Sequence, residues 1–136
     1  MTTDAVQETA EAIRLARRAV ELANNDAVAL CFAGWAVAHV GGDHDTGAAL
    51  IDKALALNPN LAAAWYCSGW VRVYLQISAA SHALAGRALE SDRAMTRLRG
   101  ADPALSSSNV GSRLALRRRE DVARLSEGLR KAGLPE

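Results

Sequence analysis

Three histidines, two cysteines and one serine run are the residues whose types could do chemistry. His39 and His44 stand five apart across Gly41-Gly42. A zinc site needs further thiol, imidazole or carboxylate ligands at matching spacing. Asp43 and Asp45 flank His44 in what reads as a surface turn and supply no such spacing. His82 sits where a helical repeat places a mid-helix aromatic, and reads as a packed side chain. Ser106-Ser107-Ser108 has no glycine elbow and no preceding strand, so it does not read as a nucleophile. Gly41-Gly42 and Gly86 read as turns rather than phosphate loops. Cys31 and Cys67 lie in apolar helical surroundings and read as buried free thiols. No catalytic set, no metal and no cofactor is expected, and the chain is not expected to be an enzyme.

The aromatic residues point elsewhere. Tyr66, Trp70 and Tyr74 follow i, i+4, i+8, which places them on one stripe of a helix. Trp35 and His39 are spaced by four in the same way. These five are the candidate partner-binding residues: aromatic anchors for a peptide or helix laid in a groove. The competing reading has the rings packed against a neighbouring helix or a second subunit.

Composition says which elements must carry these residues. The chain has 136 residues, 50% of them hydrophobic but only 4% aromatic. Alanine, roughly one residue in five, fills the gap. Alanine favours helix and disfavours strand, so an all-β fold is excluded. The high apolar fraction and a net charge of +1 exclude disorder. No apolar run reaches the ~18 residues of a membrane span, and the polar start lacks a secretory pattern. A cytoplasmic location is expected. Charge is uneven: acids exceed bases by three up to Ala85, and bases exceed acids by four from Gly86. Arg117-Arg118-Arg119 could contact phosphates, but Glu120-Asp121 offsets it, so nucleic-acid binding is not expected.

Two segments repeat. Ala27 to Trp35 and Ala62 to Trp70 each end in a Gly-Trp pair, 35 residues apart. Between them lie a turn, Gly41-Gly42-Asp43, and an amphipathic run that stops at Asn58-Pro59. This is close to the 34-residue tetratricopeptide repeat, a helix–turn–helix unit. In that unit Leu30 and Trp65 fill the gap between helices. Gly34 and Gly69 let backbones approach, and Gly47, Ala48 and Ala54 face the first helix. Thr3 to Ala23 reads as a leading half-unit ended by Asn24-Asn25. Leu61 to Ala85 then runs on without a turn, although a normal unit would turn near Gln76. The stretch Glu90 to Gly100, stopped by Asp102-Pro103, reads as a second helix. An internal deletion that fuses two first helices accounts for this, with Ala79 in the position held by Gly69 and Gly34. Ala104 to Gly111 reads as a loop, and Arg119 to Ala132 as a last helix.

The expected fold is therefore all-α: a short tetratricopeptide-like array of about six helices with one long fused central helix. It forms a single domain, 1–136, divided as 1–25, 26–60, 61–103 and 104–136. The runs Ala19-Val20-Glu21-Leu22, Leu55-Ala56-Leu57-Asn58-Pro59-Asn60, Gly69-Trp70, His82-Ala83-Leu84-Ala85-Gly86-Arg87 and Gly128-Leu129-Arg130-Lys131-Ala132-Gly133-Leu134-Pro135 resemble the C-terminal tetratricopeptide region of bacterial class III adenylate/guanylate cyclases and related regulators. The resemblance implies a region that mediates protein contacts. It implies no activity, because the catalytic domain of such cyclases is missing. The expected function is a non-catalytic module that binds a protein or peptide, or itself. The alternative is a regulatory fragment that acts on a separate cyclase or transcriptional regulator.

A fused helix has one further consequence. Trp65, Val71, Val73, Leu75 and Ile77 lose the second helix that normally covers them. They are expected to form a homodimer interface, with exchanged halves as one form of it. Static light scattering at micromolar concentration checks this: twice the chain mass is expected, and a monomer mass would sink it.

Overall fold

The computed structural model describes residues 3–113, 116 and 118–136. Arg117, one member of the arginine cluster, lies outside them. Seven helices are present among the described residues, and the fold is all-α. Six match those expected from the sequence. They are α1 (Thr3–Leu22), α2 (Ala27–His39), α3 (His44–Leu57), α4 (Ala62–Leu84), α5 (Ala88–Ala101) and α7 (Arg119–Lys131). The seventh, α6 (Val110–Arg113), is one turn inside the stretch expected as a loop. Its cause is local. The Asn109 side chain accepts from the Ser106 N–H and donates to the Ala104 carbonyl. That turn lets the Val110 N–H reach the Ser106 carbonyl, and Val110 is buried. No described helix is long and apolar enough to cross a membrane.

Helix ends follow the local chemistry. The Asp26 carboxylate accepts from the Val28 and Ala29 N–H groups and caps α2; Asp43 caps α3 through Thr46. Asn24 and Asn25 both take positive φ just after α1, where a short polar side chain tolerates the left-handed region. Gly86 closes α4 with φ +72°. Its N–H reaches the Ala83 carbonyl, and the next N–H, that of Arg87, reaches the His82 carbonyl. This is a Schellman closure. Gly133 closes α7 in the same way, with Leu134 bonding back to Leu129.

The chain divides into two compact units, 1–71 and 72–136. In the first, α2 packs against α3 and α1. The crossing of α2 and α3 rests on two glycines. A Cβ at Gly34 would stand 2.8 Å from the Gly47 carbonyl oxygen and 2.9 Å from the Leu50 Cβ. A Cβ at Gly47 would meet the Ala38 Cβ at 2.5 Å. Ala33, Val37 and Ala16 form a core cluster with Val20 and Leu50 against it. On α4, Ala64, Cys67, Ser68 and Val71 are buried, and so are Leu30, Ala33, Gly34 and Val37 on α2, each 34 residues earlier. Burial thus repeats at 34, one residue short of the Gly-Trp spacing. Gly69 is consequently not the counterpart of Gly34: nothing lies within 4 Å of where its Cβ would be. Ser68 holds that inward position instead.

In the second unit, α5 and α7 pack on the latter part of α4. The Ser91 hydroxyl donates to the Ala79 carbonyl at 3.4 Å, both residues buried. Ala79 therefore does face a small residue across a helix crossing, as expected of it. Gly128 brings α7 against α4, because a Cβ there would lie 2.7 Å from the Ala80 Cβ and 2.9 Å from its carbonyl oxygen. Arg72 donates to the Ala101 carbonyl, and Arg99 to that of Gly133. Arg113 grips Asp102 with two bonds of 2.8 Å. Ser107 donates its N–H to the Pro135 carbonyl. Gln76, inside α4, is 3% exposed, and its Oε1 has no hydrogen-bond partner among the described residues. A buried polar atom left this way costs about 1–3 kcal/mol.

The two kinds of glycine predict opposite effects. Gly34→Ala should destabilise by roughly 1–3 kcal/mol, because backbone must move. Gly69→Ala should stabilise by about 0.5–1 kcal/mol, because the helix gains propensity in open space. Urea unfolding followed by circular dichroism separates the two.

Candidate interaction surface

The site is built on α2 and the first turns of α4, both in the first unit. Residues 27–38 of α2 carry no charged side chain. A helix that is apolar all round is normally buried on every side. Here one face is buried, with Leu30, Cys31, Gly34, Val37 and Ala38, and the other is not. Trp35 is half-buried and His39 exposed. Their rings stack with centroids 4.8 Å apart and planes 9° apart. Trp35 also meets Tyr66 of α4 at 6.3 Å, tilted, and Tyr66 meets Trp70 edge-on at 6.4 Å. Four rings therefore form one chain across two helices: His39, Trp35, Tyr66, Trp70. Tyr66 is 63% exposed and Trp70 49%. Such contacts contribute about 0.5–1.5 kcal/mol each beyond area burial and hold the rings in place.

Four of the five residues expected at a partner-binding face are thus brought together. Tyr74, the fifth, is exposed on α4 and belongs to the second unit. Two residues were missed. Val28 and Phe32 are 47% and 55% exposed. With Trp35 and His39 they follow i, i+4, i+7, i+11, so they extend the same stripe of α2. That spacing was present in the sequence, but an apolar helix gives no contrast by which to tell the open face from the buried one.

The residues expected at a dimer interface divide differently. Trp65 and Ile77 stand open, at 55% and 49% exposed, while Val73 is half-buried. Val71 and Leu75 are buried within the chain itself. The Trp65 ring turns back over the preceding loop, its N–H donating to the Pro59 carbonyl at 2.8 Å.

The same two helices, α2 and α4, carry the two cysteines. Both are buried and free, and their Sγ atoms are 3.9 Å apart, Cys31 donating to Cys67. Burial, and then the neighbouring Cys31, push the Cys67 thiol up to about 11. No three His, Cys, Asp or Glu side chains converge among the described residues. His44 turns back to the Gly42 carbonyl, and His82 is half-buried at the end of α4. Compared with protein-family models, with curated proteins and with solved structures, the chain matches none.

The raised thiol predicts a pH effect. The folded state holds the Cys67 proton more tightly than the unfolded chain, whose thiol titrates near 9.0. Its contribution to stability is therefore fully present below about pH 9 and is lost as pH rises towards 11. The loss should be on the order of 2 kcal/mol. Thermal unfolding of wild type and Cys67→Ala between pH 8 and 11 checks it: the variant should lose that part of the slope (~2 kcal/mol).

Proposed function

We propose that the chain is a non-catalytic interaction module of the tetratricopeptide type, which docks a protein segment on the aromatic face of α2 and α4. The observation that carries this reading is the four-ring chain, bordered by exposed Val28 and Phe32, on a helix with no charged residue before His39. Contiguous exposed apolar surface marks a contact site more often than scattered exposed side chains do. Rigid aromatic rings lose little conformational entropy on binding, which suits them as anchors. The 34-residue recurrence of buried positions supports the repeat type.

The resemblance to cyclase-associated regions favours no particular partner. Its most specific run, Gly128 to Pro135, is engaged in packing through its apolar and glycine residues, while Arg130 and Lys131 are exposed. Gly128 meets Ala80, Leu129 and Leu134 are buried, Gly133 makes the helix closure, and Pro135 takes the Ser107 bond. It therefore supports common architecture rather than a shared target. Self-association through Trp65 and Ile77 belongs to the same reading, with a second copy as the docked protein.

Selection of peptides from a random library against the purified chain tests the proposal. Bound clones should lose affinity by at least ~30-fold for Tyr66→Ala/Trp70→Ala. The same clones should keep it for Leu89→Ala, an exposed residue of the second unit. Clones indifferent to the aromatic pair would overturn the proposal. Circular dichroism should show both variants folded, because all three side chains are exposed.

A further inference from the structure

Cys31 and Cys67 meet from helices whose contact is remote in sequence, 36 residues apart. Cys31 is wholly buried and Cys67 is 4% exposed. Packing alone does not ask for a thiol at either place, since alanine or valine fills such a position as a small hydrophobe. What distinguishes the pair is its geometry. At 3.9 Å the sulfurs are in contact, and a disulfide of ~2.05 Å needs them to close by about 1.9 Å. A change of side-chain rotamer with a small shift of the helices covers that distance. The pair also lies on the two helices that carry the aromatic face. Cys31 lies one helical turn before Trp35, and Cys67 lies between Tyr66 and Trp70 on α4.

We propose that Cys31 and Cys67 are a redox modification site: a peroxide converts them to an intramolecular disulfide that ties α2 to α4 and resets the spacing of the Trp35, Tyr66 and Trp70 rings. The first step occurs at Cys67, the thiol with some exposure. Its thiolate attacks one oxygen of hydrogen peroxide, the O–O bond breaks, and the departing hydroxide takes up a proton to become water. The product is a sulfenic acid. The Cys31 thiolate then attacks that sulfur and displaces hydroxide, which takes up the proton Cys31 has lost. Two thiols give up two electrons and two protons, and the peroxide becomes two waters. With the Cys67 thiol held up by burial and by its neighbour, little thiolate is present at neutral pH, so the pair rests reduced and reacts slowly. The same burial shields the finished bond from thiol exchange. The proposal goes beyond the docking surface and does not depend on it.

The test uses the full chain, reduced and then treated with hydrogen peroxide at micromolar protein. Intact mass after alkylation should show loss of two hydrogens and no alkylated thiol. A peptide map should join Cys31 to Cys67 within one chain, and dithiothreitol should reverse the change. The unfolding midpoint should rise by roughly 5–10 °C on oxidation. Tryptophan emission should shift with the mass change. In Cys31→Ser, peroxide should leave Cys67 as a sulfenic acid trapped by dimedone, with no emission shift. Two thiols still open to alkylation, a bond only between chains, or disulfide formation with unchanged emission would each overturn the proposal. None of these measurements uses a docked peptide, so failure of the docking proposal and failure of this one are told apart.

Discussion

Helices in this protein meet where one of them has almost no side chain. Gly34 lies against the Gly47 carbonyl, Ala79 against Ser91, and Gly128 against Ala80. At the two glycine crossings the backbones are so close that a single added methyl reaches the neighbouring carbonyl oxygen. The rest of each unit depends on that closeness. Leu30, Ile51, Leu98 and Leu129 are wholly or almost wholly buried only because the small residues let their helices come near enough to enclose them. The high alanine content follows from the same constraint. Alanine maintains helix propensity while leaving room for a neighbour, and the buried set contains eight alanines beyond Ala16 and Ala23.

Close packing of small residues has a consequence for the large ones. Few inward positions can hold a ring, so most of the aromatic residues are turned outward. Phe32, Trp65, Tyr66, Trp70 and Tyr74 are each about half exposed or more. Tyr66 and Trp70 of α4 join Trp35 and His39 of α2 in one chain of rings, with Trp35 as the half-buried link between the helices. The same two helices carry the two thiols. The same closeness that excludes aromatics from the core brings Cys31 and Cys67 within 3.9 Å.

The helix α4 runs unbroken through Gln76. Its amide is buried with an unpaired oxygen. Nearby, Arg72, Arg99 and Arg113 each tie separate segments together through carbonyls or a carboxylate. The basic residues that make the chain cationic from Gly86 onward thus include two with structural bonds, Arg99 and Arg113, and the charge gradient is in part a by-product of packing.

Much of the fold was legible because its signals are local. Caps, stops and periodicity act within about one helical turn, so Asn24-Asn25, the turn Gly41-Gly42-Asp43, Pro59, Gly86 and Gly133 marked helix ends that the structure places within one or two residues. The same locality made Tyr66 and Trp70 recognisable as one stripe. The sequence by itself determined the class of the fold, the order of the helices and the unbroken run of α4. Tertiary structure alone decided which faces are covered. It buried Val71 and Leu75, left Gly69 in open space, opened Val28 and Phe32, and set the two cysteines against each other. The physical reason is that burial depends on neighbours far along the chain. On helices as uniformly apolar and alanine-rich as α2, no polar stripe announces in advance which side those neighbours will take.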